Sequence, residues 1–169
     1  MDKTLGRRLM AGQRTLDPPV VVRVHAPQPT FVAPGVGGVV KWGQMEALVV
    51  SAHPTMQAYL EVSLEAEGFN VVSFTNAAEA LRYLKNHTPD LIVLDDEIKG
   101  GVSALDMAWR IKRVRRLKEV PVVVLSSSAD QRTQVAARLA RVDKLLVKPL
   151  TGGEFRAFAR RTIEMRTRD

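Results

Sequence analysis

The stretch Asp90-Leu91-Ile92-Val93-Leu94-Asp95-Asp96-Glu97-Ile98-Lys99-Gly100-Gly101 decides the fold. Leu91 to Leu94 is an unbroken apolar run, short, rich in branched side chains and without a helical period. Such a run forms a strand buried on both faces, as in a parallel sheet covered by helices. It stops on the carboxylates Asp95, Asp96 and Glu97. In open α/β sheets the carboxyl ends of the strands are where ligands and chemistry gather. A solvated strand end explains the same acids more simply, and the run alone leaves both meanings open.

The flanking sequence repeats the pattern. Ala47 to Val50 is a buried strand, followed by a helix with Pro54 in its first turn and Met56, Tyr59, Leu60, Ser63 and Leu64 on one face. Gly68 stops that helix, and Val71 to Phe74 is the next strand. Asn76 is placed to cap a second helix with Ala77, Ala80, Leu81 and Leu84 inward, ending before Pro89. Downstream of the acidic strand, Ser103 caps a helix expected from Ala104 to about Arg116, with Ala104, Met107, Ala108, Ile111 and Val114 inward. Val122 to Leu125 is a fourth strand ending in Ser126-Ser127-Ser128, and Gln131 to Ala140 a fourth helix. Leu145 to Val147 is a fifth strand, followed by Lys148-Pro149. The last helix begins near Gly153 and buries Phe155, Phe158, Ala159, Thr162 and Ile163. Alternation at this spacing predicts an α/β domain, a doubly wound five-stranded parallel sheet with helices on both faces.

Of the 169 residues, 46% are hydrophobic, enough for an ordinary core. The absence of cysteine excludes disulfides, thiolate metal sites and thiol catalysis. The net charge of +7 permits attraction to nucleic acid, acidic proteins or anionic lipid without choosing among them. No apolar run approaches the ~18 residues of a spanning helix, and the N-terminus lacks the apolar core of a secretory signal. A cytoplasmic protein without a membrane span is expected. Residues 1–43 are set apart as a Pro/Gly-rich basic extension, with Pro18-Pro19, Pro34-Gly35 and an excess of Lys and Arg; the domain proper is expected over 44–169. The extension could dock through Val20-Val21-Val22 or Phe31-Val32, or remain a linker.

Three features at adjacent strand ends carry a family resemblance. They are Asp95 closing DLIVLD, Ser126 closing PVVVLS, and Lys148-Pro149 after the fifth strand. On a five-fold β/α register, the region from about Glu46 to Arg166 resembles the response-regulator receiver domain of bacterial two-component signalling, a flavodoxin-like fold. The resemblance implies that Asp95 is the phosphoacceptor for a histidine kinase. It implies that Lys148 pairs with the new charge, that Ser126 turns inward to a phosphoryl oxygen, and that Mg²⁺ offsets the negative charge.

The sequence departs from that pattern. The paired acids that hold the metal in the family are matched here by Ser51 and Ala52. Mg²⁺ binds through one or two carboxylates plus waters and phosphate oxygens, so binding is expected to be weak at most and phosphorylation slow or absent. Asp96 or Glu97 could compensate in part. His53 is nearby but reads more simply as a loop histidine than as a metal ligand. With two acids gone, Lys148 is free to pair permanently with Asp95. The family's aromatic switch position is matched by Leu145, its Gly/Ala loop by Arg141-Val142-Asp143, and its proline after the acceptor by Lys99.

The expectation is therefore a stand-alone, atypical receiver in two-component or phosphorelay signalling. It is not an enzyme and has no resident cofactor. It acts by protein–protein interaction with a histidine kinase or output protein, and a homodimer through the last two β/α units is open to it. One alternative is a working phosphoacceptor using Asp95. Another is a basic nucleic-acid-binding regulator, drawing on Arg110, Lys112, Arg113, Arg115, Arg116 and Lys118, although aromatic interleaving is sparse. A flavin or cobalamin site on the same architecture is set aside, because Ser51-Ala52-His53 lacks the flanking Asp and Gly and no glycine-rich phosphate cradle follows the first strand.

Overall fold

The computed structural model describes residues 45–166; the extension proposed for residues 1–43 and its boundary lie outside the described residues. Strands β1 (Met45–Val50), β2 (Phe69–Phe74), β3 (Leu91–Asp95), β4 (Val122–Ser126) and β5 (Lys144–Val147) alternate with helices α1 (Pro54–Glu65), α2 (Ala77–Tyr83), α3 (Ala104–Lys112), α4 (Gln131–Leu139) and α5 (Gly152–Arg166). The strands form one parallel sheet in the order β2-β1-β3-β4-β5. The expected α/β doubly wound, five-stranded architecture is present.

Side-chain alternation splits the core into two layers. Ala47, Val49, Leu91, Val93, Val123 and Leu125 face one side and pack with Leu60 and Leu64 of α1 and Phe155 and Ala159 of α5. Leu48, Val50, Ile92, Leu94, Val122 and Val124 face the other and pack with Ala77 and Ala80 of α2 and Met107, Ala108 and Ile111 of α3. The central strands β1, β3 and β4 are therefore apolar at consecutive positions.

Local signals set the helix starts. Pro54 opens α1. Asn76 accepts from the Ala78 N–H, Ser103 from Asp106 N–H and Asp130 from Thr133 N–H. Gly100 lies against the Asn76 cap: a Cβ there would stand 2.9 Å from the Asn76 Oδ1, and its φ of 105° favours glycine in any case. Gly152 and Gly153 form the first residues of α5, in keeping with a start expected near Gly153.

Two expectations are corrected at α3. The helix ends at Lys112, and the chain continues to Val120 through tighter three-residue turns, with Val114 N–H bonded to Ile111 O and Leu117 N–H to Val114 O. The wheel that placed Val114 inward no longer applies, and Val114 is exposed while Leu117 and Val120 are buried. Lys112, counted among the basic residues open to nucleic acid, is buried. Its ammonium donates to Val120 O (2.8 Å), Lys118 O (3.2 Å) and Asp143 Oδ2 (2.6 Å), and the same Asp143 oxygen accepts from Val122 N–H. Arg116 is also engaged, donating to Leu84 O, His87 O and Thr88 Oγ1.

Candidate functional site

The site follows from register. Val50 pairs with Leu94, so Ser51 and Asp95, the next residues, emerge side by side at the topological switch between β1 and β3. Ser126 pairs with Val147, which delivers Lys148 to the same edge from β5. The Lys148–Pro149 peptide bond is cis.

Asp95 is wholly buried, and each of its carboxylate oxygens has a donor. Ser51 Oγ donates to Oδ2 at 2.7 Å, and Lys148 Nζ to Oδ1 at 2.8 Å. Burying a carboxylate is costly unless it is paired and hydrogen-bonded, and both conditions are met here. Lys148 also lies 2.5 Å from Asp96 Oδ1 and 3.6 Å from Glu97 Oε1, so one ammonium gathers all the acids of the motif. Burial works against its charge, yet Asp95 and Asp96 hold it well above the ordinary lysine range. Burial likewise opposes ionisation of Asp96, but the Lys148 ammonium and the Ser127 N–H hold its carboxyl below the usual range.

The remaining residues are arranged around this knot. Ala52 offers a methyl group, and its N–H donates to Glu97 O at 2.7 Å. Glu97 is turned outward and pairs with the His53 ring. Ser126 Oγ accepts from Ser128 N–H at 3.2 Å, so its hydroxyl is engaged in its own loop. Leu145 packs into the core layer beside α3. Among the described residues, no group of three or more His, Cys, Asp or Glu side chains is arranged to hold a metal ion. A basin of about 460 Å³ opens beside the knot, lined by His53, Met56, Tyr59, Glu97, Lys148 and Leu150 among others.

The structure thus brings Asp95, Asp96 and Lys148 together, and it adds Ser51, which sequence reasoning treated only as a missing acid. Nothing in a sequence distinguishes a serine that has merely replaced an acid from one that bonds the acid left behind. The His53–Glu97 pair was likewise invisible, because two helices and two strands separate its partners along the chain.

A family model described as the response regulator receiver domain matches residues 47–160. The chain belongs to that family. The Transcriptional regulatory protein KdpE of Mycobacterium tuberculosis is 30% identical over 120 residues, covering 71% of this chain and 51% of its own length. Transcriptional regulatory protein PrrA of the same species is 36% identical over 108 residues, covering 63% of this chain and 45% of its own. This chain spans about half the length of the curated relatives it matches. Among solved structures, the receiver domain of a signal transduction histidine kinase from Syntrophus aciditrophicus superposes with a TM-score of 0.66 at 26% identity, covering 71% of this receiver and 90% of that chain. The receiver domain of the sensor histidine kinase PA1611 from Pseudomonas aeruginosa gives 0.64 at 22% identity, covering 71% and 98%. A magnesium ion is coordinated in the active-site cleft of that protein. No helix among the described residues of this receiver is long and apolar enough to cross a membrane.

Proposed function

We propose that this receiver is held in one state by an internal ammonium and serves two-component signalling by binding a protein partner, a histidine kinase or an output protein in the cytoplasm, with little or no phosphorylation. The observation that carries the reading is that both oxygens of the buried Asp95 are already engaged, by Ser51 at 2.7 Å and Lys148 at 2.8 Å. Each bond draws charge from the carboxylate oxygen that accepts it and so lowers its nucleophilicity toward a phosphorus atom. The donor set is also a poor match for Mg²⁺, which takes near-octahedral oxygen ligands and dehydrates reluctantly. Ala52 supplies no side-chain oxygen, and Glu97 is turned to His53.

A second reading, a working phosphoacceptor, is favoured by the presence of Asp95, Ser126 and Lys148 at the ends of β3, β4 and β5. Intact-mass analysis after incubation with acetyl phosphate and Mg²⁺ separates the two. The wild type is expected to remain unmodified, while the double variant Ser51→Asp/Ala52→Asp, which restores the acid pair, gains one phosphate that Asp95→Asn removes. A phosphate on the wild type, abolished by Asp95→Asn, would establish the second reading in place of the first.

A further inference from the structure

The outward face of α3 carries a surface that the Asp95 site does not use. Ala104, Met107, Ala108 and Ile111 point inward, which places Trp109 and Arg113, four residues apart, on the opposite side of the helix. Trp109 is 47% exposed, and the Arg113 guanidinium lies 4.5 Å from the ring centroid. Val114, turned outward by the tight turns after α3, is 41% exposed. Arg110, Arg115 and Lys118, close to them in the chain, are also exposed, and of these Lys118 pairs with Glu119 at 3.3 Å. Asp106 is the acid at the other end of the helix and is held by Ser103.

A tryptophan left in solvent on a helix face forgoes the burial that so large a ring normally obtains. Tryptophan and arginine are also the side chains over-represented at the energetic centres of protein interfaces, and the exposed cations Arg110, Arg113, Arg115 and Lys118 outnumber the exposed acids Asp106 and Glu119 on this stretch. We propose that the α3 face centred on Trp109 docks an acidic, amphipathic protein segment. The segment's apolar side chain lies against the indole and Val114, and its carboxylates meet Arg110, Arg113 and Arg115. A second copy would bring like charges together. Single-stranded nucleic acid is bound by grooves with successive stacking platforms, whereas this surface is a convex helix with one aromatic ring.

The inference is independent of whether Asp95 takes phosphate. It is tested with a synthetic helical peptide bearing glutamates on one side and leucines on the other, titrated into the full chain carrying Trp42→Phe so that Trp109 alone reports. Saturable binding is expected, with a shift of Trp109 emission to shorter wavelength and no change on adding Asp95→Asn. Arg113→Glu and, followed by anisotropy of a labelled peptide, Trp109→Ala should each weaken binding by about tenfold or more while melting at the wild-type temperature. If Trp109→Ala fails to fold, Arg113→Glu decides alone. Absence of saturable binding, an unmoved emission, undiminished affinity in the folded variants, tighter binding of a single-stranded DNA oligonucleotide, or a Trp109-dependent dimer in sedimentation would each overturn the proposal.

Discussion

Lys148 is the residue on which the site turns. Its side chain is 15% exposed and holds the wholly buried Asp95 together with Asp96. Removing one partner of a buried pair leaves an uncompensated charge, so Lys148→Ala is expected to lower stability by about 3 kcal/mol in urea denaturation. Asp95→Asn, which removes the charge but keeps the shape, should cost less. The pH dependence follows from the same contacts. Burial alone would raise the Asp96 carboxyl, but Lys148 and the Ser127 N–H hold it below its ordinary 3.8. A depressed carboxyl contributes stability that is complete above that ordinary value and is lost as pH falls through the folded-state value. Lys148 is raised above 10.5 against its burial, so its share is complete below pH 10.5 and is lost only at higher pH. Urea midpoints should therefore hold steady from neutrality to about pH 10 on this account and drop below about pH 4. In Lys148→Ala the acid drop should be shallower. A wild-type acid limb no steeper than the variant's would show that the pair contributes nothing. From sequence, Asp95 and Lys148 were legible because each follows an apolar run. The Ser51 bond was not, since it depends on which atom a hydroxyl happens to face.

At the scale of elements, strands were the easiest features to find because burial on both faces writes itself as consecutive Val, Leu and Ile. The end of α3 was the hardest. Apolar residues at Ile111, Val114 and Leu117 keep a helical spacing, yet the chain tightens after Lys112 and only Leu117 of the last two stays inside. Lys112 then becomes a structural cation: it ties α3 to the approach of β4 and to Asp143 at the entry of β5. A run of Lys and Arg gives no sign of which member turns inward. Lys112→Met keeps the apolar stem but strands Asp143 and two carbonyls, and should cost about 2–3 kcal/mol in chemical denaturation. Arg113→Gln, one residue further on the solvated side, should stay within about 0.5 kcal/mol. Equal effects from the two would contradict the inward placement. Arg141 marks another element boundary. It takes a φ of 56°, a left-handed conformation that a glycine adopts without the penalty of a Cβ.

Among the described residues, charge gathers in two separate places. The strand-end pocket concentrates acids around one ammonium, while the outer face of α3 concentrates cations around one aromatic ring. In a pocket built for a divalent ion, clustered carboxylates repel one another until the ion arrives. Here Lys148 is the resident counter-charge, and on the proposed function an added ion is expected to contribute no stability. Restoring the acids should reverse that relation. In the presence of a chelator, Ser51→Asp/Ala52→Asp places two further carboxylates beside Asp95 and removes the Ser51 bond, so it should melt below the wild type. Added Mg²⁺ should raise the variant's melting temperature by several degrees, since a ligand at a hundred times its Kd stabilises the folded state by about 2.7 kcal/mol. The wild type should not move, because a ligand that finds no site contributes nothing by mass action. Melting curves of both proteins with chelator and with millimolar Mg²⁺ make the comparison. A wild-type curve that climbs with Mg²⁺ as steeply as the variant's would mean that Asp96 and Glu97 supply the missing ligands, and that Lys148 yields its place to the ion.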